Sequence, residues 1–273
     1  KTAYEIGVRL VGSEMCIRDR YEGRVVVVTG AGQGNGLAIA KRFARDGDFV
    51  VLADADGEHV QQSATELKEA GYSARAYECD VSQEQEVEAL VDVAEREHGP
   101  IEVWINNAAI GENPGKSTDT DMNEHDRIWQ VNYRGVYLCC RAVAPQMTKR
   151  GHGCILNVAS SASFKSLPLV AYGPSKMAVK SLTEVLAGEF GPYGVRVNAI
   201  APHAMVYSAS SAQSKRRIEA LENSNAIPKQ ILSEDIAEGV FFLCSESARA
   251  ITGVTLPIDY GWLVGITYKA YPK

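Results

Sequence analysis

The sequence has no apolar run long enough to cross a membrane and no excess of positive charge. None of its hydrophobic stretches approaches the roughly 18 residues that a membrane-spanning helix needs. Its formal net charge is −6 at pH 7, whereas a protein that binds nucleic acid without sequence preference needs a basic face. We therefore expect neither a membrane protein nor a nucleic-acid-binding protein. With 45% hydrophobic and 23% charged residues, the 273-residue chain has the composition of a globular protein with a large core.

Cysteine and histidine are too few and too irregularly spaced to indicate a disulfide framework or a metal site. Only six cysteines occur, and Cys139 and Cys140 are adjacent. No pair of cysteines shows the spacing of metal ligands, and neither do the histidines His59, His98, His125 and His152. We predict reduced thiols, a cytoplasmic protein and no catalytic metal.

Residues 1–20 resemble the conceptual translation of DNA-sequencing adapters. The match covers Lys1 to Ile6 and Leu10 to Arg20 in one reading frame. A natural N-terminal extension is the alternative. We interpret this stretch as a non-native extension from a shotgun-sequenced sample, such as a metagenome, and exclude it from the fold. Residues 21–273 contain no repeat, low-complexity tract or Pro/Gly-rich linker, which predicts a single domain.

From Arg24 onward, strand-like and helix-like segments alternate. Val25 to Val28 is a continuous run of β-branched residues, typical of a strand buried on both faces. The predicted strands are Val25–Val28, Phe49–Ala53, Ala74–Cys79, Ile101–Ile105, Cys154–Val158, Val195–Ile200 and Thr255–Ile258. The predicted helices end near Asp46 or cover 58–70, 83–98, 123–149, 171–190, 211–223 and 233–245. This alternation predicts an α/β fold, a single doubly wound parallel sheet of about seven strands with helices on both faces.

A glycine-rich segment follows the first predicted strand and opens a helix. Glycines at such a turn let the backbone approach a pyrophosphate, and the helix N-terminus supplies free N–H groups and a positive dipole. The alternative is a tight turn without a ligand. The residues predicted to bind a cofactor here are Thr29, Gly30, Gln33, Gly34, Asn35 and Gly36.

Asp54 ends the second predicted strand. A carboxylate at this position accepts hydrogen bonds from the adenosine ribose hydroxyls of NAD and repels the 2′-phosphate of NADP. Neither Gln33 nor Ala55 offers the cation that NADP requires. The sequence therefore predicts NAD as the cofactor. A solvent-exposed carboxylate beside Asp56 is the alternative interpretation.

Tyr172 and Lys176 lie four residues apart on one predicted helix, so they share a face. A neighbouring ammonium stabilises a phenolate and lowers its pKa, which would allow Tyr172 to exchange a proton with an alcohol or ketone. A Tyr and a Lys at this spacing are common in proteins, so the pair indicates an active site only in combination with the other motifs.

Together these motifs resemble the short-chain dehydrogenase/reductase family in its one-domain form, over nearly all of residues 24–262. Thr29 to Gly36 matches the family's Thr-Gly-x3-Gly-x-Gly loop, and Asp80-Val81 matches the Asp-Val pair that contacts adenine. Asn106 to Ala109 matches its Asn-Asn-Ala-Gly segment, in which Asn107 and Ala108 line the cofactor. The resemblance implies a Rossmann-type fold.

The resemblance also assigns a catalytic set. Asn132 matches the helix Asn that holds a proton-relay water, and Ser160 matches the Ser that orients the substrate. Tyr172 and Lys176 match the family's Tyr-x3-Lys. The implied activity is NAD(H)-dependent interconversion of a secondary alcohol and a ketone, with Tyr172 as acid and base. An NAD-binding sensor or scaffold without turnover, and an epimerase or dehydratase using the same site, are the alternatives.

The sequence departs from the family's pattern after the sixth strand. Pro202, a predicted cofactor contact, is followed by His203 instead of Gly, and Tyr207 replaces a Thr that holds the nicotinamide carboxamide. Ser208 is a substitute for that contact, and Ser161 is a weaker rival of Ser160. We expect residues 203–230 to form a substrate lid. Subunits of this family pair through the helices at 123–149 and 171–190, which implies a homotetramer or a homodimer.

Overall fold

The computed structural model describes residues 23–203 and 212–264, which contain seven strands. The strands are β1 (Val25–Thr29), β2 (Phe49–Asp54), β3 (Ala74–Glu78), β4 (Ile101–Asn106), β5 (Gly153–Val158), β6 (Val195–Pro202) and β7 (Thr255–Ile258). All neighbours pair in parallel, in the order β3-β2-β1-β4-β5-β6-β7. The predicted fold class is confirmed, and every predicted strand is present with small changes at its ends.

Eight α-helices accompany the strands in the described residues. They are α1 (Gly34–Arg45), α2 (Gly57–Glu69), α3 (Glu84–His98), α4 (Met122–Trp129), α5 (Val136–Arg150), α6 (Tyr172–Phe190), α7 (Ala212–Ser224) and α8 (Ser233–Cys244). The sequence predicts one helix over 123–149, but a π-helical segment, Gln130–Gly135, separates α4 from α5. Hydrogen bonds in a π-helix span one residue more than in an α-helix, a change that apolar periodicity does not reveal.

Two hydrophobic layers hold the helices against the sheet. One layer packs the sheet against α3, α5 and α6, with Trp104 fully buried in it. The other packs it against α1, α2 and α8 around Phe43 and Leu52. Because both faces are covered, β1 is buried along its whole length, as its run of valines predicts.

The order of the strands reverses at β1, whose neighbours are β2 and β4. The loops that follow β1 and β4 therefore leave the sheet in different directions and open a crevice at the carboxyl ends of the strands. Three predictions concern residues outside the described part: the adapter-like stretch 1–20, residues 204–211 of the lid predicted at 203–230, and the replacement contacts of Tyr207 and Ser208. The helices predicted at 211–223 and 233–245 are present as α7 and α8.

Candidate active site

The loop after β1 is tightly packed, and neighbouring backbone atoms leave no room for a side chain at two of its glycines. Gly30 has φ +63°, and a Cβ there would lie 2.7 Å from the Cα of Ala108. A Cβ on Gly36 would lie 2.0 Å from the carbonyl oxygen of Gly30. The first turn of α1 carries no acidic residue, and the side chain of its N-cap, Gln33, makes no capping bond. The N–H groups at the start of α1 are therefore available to an anionic ligand.

Asp54 stands where the sequence places it, at the end of β2. Its Oδ2 accepts a hydrogen bond of 2.9 Å from the Gly32 N–H, and its Oδ1 accepts one of 3.1 Å from the Asp56 N–H. The carboxylate is thus fixed against the glycine loop. Asn35 accepts a hydrogen bond of 2.9 Å from the hydroxyl of Ser233, which ties the start of α1 to α8.

Thr29 and Asn107 join the loops that follow β1 and β4. The Thr29 hydroxyl accepts hydrogen bonds from the N–H groups of Asn107 at 3.1 Å and Ala108 at 3.2 Å. The Asn107 amide in turn donates to the carbonyl oxygens of Thr29 and Gly30, both at 3.0 Å. This set of bonds fixes the two loops relative to each other across the crevice.

Asp80 lies in the loop after β3, beside Val81. It accepts hydrogen bonds of 2.9 Å from the Ser82 N–H and from the Arg127 guanidinium. Burial alone would raise the pKa of Asp80, but these hydrogen bonds and the charge of Arg127 outweigh it and lower the pKa below its ordinary value. The carboxylate therefore stays ionised and fixed. No sequence motif indicates the contribution of Arg127.

Tyr172 and Lys176 face each other on the first turn of α6. The Lys176 Nζ lies 5.8 Å from the centre of the Tyr172 ring and donates a hydrogen bond of 2.8 Å to the carbonyl oxygen of Val158. Lys176 is only 2% exposed, and this burial lowers its pKa to about 8. An ammonium buried beside a half-buried phenol favours the phenolate form, which is the form that accepts a proton.

Ser160, Ser161 and His203 line the cleft near Tyr172. The Ser160 hydroxyl accepts a hydrogen bond of 3.2 Å from the Ala162 N–H. The Ser161 hydroxyl lies 3.1 Å from the His203 Nδ1, so the two neighbouring serines have different partners. Burial lowers the pKa of His203, although the charge of Asp259 opposes this shift. The imidazole is therefore neutral near pH 7.

Asn132 lies in the π-helical segment and is fully buried. Its Oδ1 accepts a hydrogen bond of 2.9 Å from the Ile110 N–H, and its Nδ2 donates one of 2.9 Å to the Ile110 carbonyl oxygen. Its Nδ2 also lies 3.4 Å from the Ser175 hydroxyl. The side chain thus holds the loop after β4 against α6. Its predicted hold on a proton-relay water stays a prediction.

Glu112 is a site residue that sequence reasoning missed. It lies in the loop after β4, and its carboxylate accepts hydrogen bonds from three consecutive backbone N–H groups at the start of α6: Val170 at 2.9 Å, Ala171 at 2.9 Å and Tyr172 at 2.7 Å. These contacts connect the cleft wall directly to the main chain of Tyr172. No motif indicates them, because Glu112 and Tyr172 are far apart in the sequence.

A cleft of about 930 Å³ at the carboxyl ends of the strands brings the predicted residues together. Its walls include Gly30, Gln33, Gly34, Asn35, Gly36, Asp54, Asp80, Val81, Asn107, Ala108, Ser160, Tyr172, Lys176 and Pro202. Thr29 and Asn132 do not line it and act from behind its wall. Within 23–203 and 212–264, no three His, Cys, Asp or Glu side chains are grouped to hold a metal ion. No described helix is long and apolar enough to cross a bilayer.

Comparisons with known proteins find similarity over nearly the whole chain. A family model described as enoyl-(acyl carrier protein) reductase matches residues 30–263. Human dehydrogenase/reductase SDR family member 4 is 35% identical over 257 residues, which cover 93% of this chain and 92% of the human protein. The 2-(R)-hydroxypropyl-CoM dehydrogenase of Xanthobacter autotrophicus is 35% identical over 246 residues, covering 86% of this chain and 97% of that protein. The crystal structure of NAD+-bound xylitol dehydrogenase superposes with a TM-score of 0.82 at 32% identity, covering 89% of this chain and all of that one.

Proposed function

Because the chain belongs to the short-chain dehydrogenase/reductase family, we propose that it is an NAD(H)-dependent oxidoreductase that interconverts a secondary alcohol and a ketone. The observation that carries this proposal is the buried ammonium of Lys176, 5.8 Å from the Tyr172 ring. Lys176 forms no ion pair with a carboxylate among the described residues, and an unpaired charge is costly to bury. We infer that this charge is retained because it stabilises the phenolate of Tyr172.

The glycine cradle and the open start of α1 fit the pyrophosphate of a dinucleotide. A side chain on Gly30 or Gly36 would collide with the backbone of Ala108 or Gly30 and so displace the loops that form this cradle, and the free N–H groups of α1 favour an anion. Asp54 would accept hydrogen bonds from the adenosine ribose, and its charge disfavours a 2′-phosphate. The NAD+ in the related xylitol dehydrogenase structure supports the same choice. Asp80, Asn107 and Pro202 would complete the walls around the cofactor.

Each of these cleft residues has its own role in the proposed reaction. In alcohol oxidation, Tyr172 as phenolate takes the proton of the substrate hydroxyl, and Ser160 donates a hydrogen bond to the substrate oxygen. The ammonium of Lys176 stabilises the negative charge of the phenolate, and Asn132 keeps the loop after β4 in place. The bound nicotinamide supplies the hydride acceptor. Tyr172 then releases its proton toward solvent. We propose that Asn132 orders a water molecule on the route of this proton. In ketone reduction the same residues act in reverse.

The test is Tyr172→Phe, which removes only the hydroxyl. We expect kcat for a reactive secondary alcohol to fall on the order of 10²–10⁴-fold, while the Kd of NADH, read by fluorescence titration, changes little. Tyr193→Phe is the matched control, because Tyr193 is exposed just after α6. Activity of Tyr172→Phe above a few per cent would refute the role. If the wild type binds NADH but turns over no alcohol or ketone, the result would favour the sensor. If it converts a substrate without net oxidation or reduction, the result would favour an epimerase or a dehydratase.

We propose a homotetramer, with a homodimer as the alternative. Tyr137 on α5 and Met177 and Val185 on α6 are large apolar side chains with 43%, 48% and 61% exposure. Phe242 on α8 and Val254, just before β7, are also exposed, and a tetramer with twofold axes needs two different interfaces. Analytical ultracentrifugation of the wild type and Val185→Glu tests this, since the substitution should release smaller species.

The proposed location is the cytoplasm. The five described cysteines are all free and all buried, as expected of a protein in a reducing compartment.

A further inference from the structure

His203 carries a buried polar atom without a partner. The side chain is 7% exposed, and its Nε2 has no hydrogen-bond partner among the residues that the structure describes. The other ring nitrogen, Nδ1, lies 3.1 Å from the Ser161 hydroxyl. Leaving a buried donor or acceptor unpaired destabilises the protein, so such an atom is a candidate for contact with a ligand.

The imidazole of His203 is fixed in orientation. Its ring stacks on Trp262, with the ring centres 4.0 Å apart and the planes inclined by 17°. Its backbone N–H donates a hydrogen bond of 3.1 Å to the carbonyl oxygen of Ile258, which anchors it at the end of β6. Two contacts to the ring and one to the main chain leave Nε2 as the one side-chain polar atom of His203 without a hydrogen-bond partner among the described residues.

Ser161 and His203 line the same cleft as Ser160 and Tyr172. Ser160 is the proposed contact of the reacting oxygen, and Ser161 is its neighbour in the chain. A group bound by Ser161 and His203 would therefore belong to the substrate and lie next to the reacting carbinol. In a neutral imidazole one nitrogen donates and the other accepts, and the Ser161 hydroxyl can pair with either form. A hydroxyl group matches both forms of Nε2, since it also donates and accepts.

We propose that Ser161 and His203 form a subsite for a second hydroxyl group, which makes a vicinal diol, or the corresponding hydroxyketone, the preferred substrate. This inference rests on the proposed oxidoreductase function. In diol oxidation the carbinol C–H bond breaks and its hydride passes to the nicotinamide. The O–H proton passes to Tyr172, a carbonyl forms, and the second hydroxyl is unchanged.

The experiment compares butane-2,3-diol, in each stereoisomer, with butan-2-ol. These probes differ by one hydroxyl at the predicted position. We expect wild-type kcat/KM to favour at least one diol by about tenfold or more, the value of one well-placed hydrogen bond in a buried site. In His203→Phe, which keeps a ring on Trp262 but removes both nitrogens, the ratio of kcat/KM for the preferred diol to kcat/KM for butan-2-ol should fall to about one.

Two more variants distinguish the effect of a hydrogen bond at the position of Nε2 from the effect of side-chain shape. The amide of Gln reaches the position of Nε2, whereas that of Asn reaches only the position of Nδ1. His203→Gln should therefore retain part of the diol preference, and His203→Asn should lose it. His152→Asn is the control, since His152 is 55% exposed and pairs with Glu102 away from the cleft. A readout independent of turnover is the Kd of 3-hydroxybutan-2-one for the NADH complex of the inactive Tyr172→Phe variant, measured by calorimetry and compared with that of butan-2-one.

The outcomes are distinguishable. Oxidation of butan-2-ol and of the diols at equal efficiency, or an equal loss of both activities in His203→Phe, would overturn the subsite and leave the proposed function intact. An absence of any alcohol oxidation or ketone reduction by the wild type would overturn both proposals. A diol preference lost in His203→Phe and His203→Asn but retained in His203→Gln would support the subsite.

Discussion

The carboxylate of Glu112 accepts a hydrogen bond of 2.7 Å from the backbone N–H of Tyr172. The same carboxylate also bonds the N–H groups of Val170 and Ala171, so it satisfies three donors that the start of α6 leaves unpaired. Since Glu112 belongs to the loop after β4, the position of the phenol depends on the cleft wall opposite it. A small displacement of a reacting group lowers the rate strongly, and this contact is therefore a positioning device.

Glu112→Gln should impair catalysis more than cofactor binding. The amide keeps the size of the carboxylate but presents N–H groups toward N–H groups, so at least one bond to α6 is lost. We expect kcat to fall about tenfold to a hundredfold, with the Kd of NADH changed less than about threefold. Steady-state kinetics and fluorescence titration measure the two effects.

The control for this prediction is Glu69→Gln, an exposed position at the end of α2. It should leave kcat and the Kd of NADH unchanged. A Glu112→Gln enzyme with wild-type kcat would show that α6 holds Tyr172 without help from the loop.

The sequence predicts the sheet, its order of elements and the cleft well, because these follow from local patterns. The valine run of β1 predicts a buried strand, and the glycines after it predict a tight turn into a helix. The contact between Glu112 and Tyr172 and the pair formed by Ser161 and His203 could not be predicted in the same way. They join residues from different loops, and their spacing in the sequence carries no periodic signal. The π-helical segment was missed for a related reason, since one extra residue in a turn hardly alters the apolar pattern.

Removing the charge of Asp54 should weaken the discrimination against NADPH. The carboxylate is fixed by Gly32 and Asp56, and a 2′-phosphate placed beside it would meet a like charge. For Asp54→Asn we expect the ratio of the Kd of NADPH to the Kd of NADH to fall by about tenfold or more. Fluorescence titration without substrate measures both constants. Asp56→Asn is the neighbouring control, and equal affinity of the wild type for both cofactors would contradict the assignment.

Lys176→Met should stabilise the protein without cofactor near neutral pH. Burial lowers the pKa of Lys176 to about 8, while the unfolded chain keeps a value of about 10.4. The charged lysine therefore destabilises the folded state fully below pH 8, on the order of 2–3 kcal/mol. Between about pH 8 and 10.4 the unfolded state binds more protons, so wild-type stability rises relative to the variant.

Urea unfolding at pH 7 and pH 10 checks this dependence. The stability advantage of Lys176→Met should be large at pH 7 and shrink at pH 10, and the variant should be inactive at both. Lys68→Met, at an exposed position of α2, should show no such change with pH. An advantage that is equal at the two pH values would mean that the charge of Lys176 is not the cause.

Two glycines in helices should respond in opposite directions to replacement by alanine. A Cβ on Gly36 would lie 2.0 Å from the Gly30 carbonyl oxygen, so Gly36→Ala must displace the loop after β1. We expect a loss of about 1–3 kcal/mol in the free energy of unfolding and a large increase in the Kd of NADH. Gly188, in α6, has no atom within 4 Å of its added Cβ, and Gly188→Ala should gain about 0.5–1 kcal/mol with NADH binding unchanged. Urea unfolding and NADH titration of both variants provide the measurement. Unchanged NADH affinity in Gly36→Ala would show that cofactor binding does not depend on the close approach of Gly36 to Gly30.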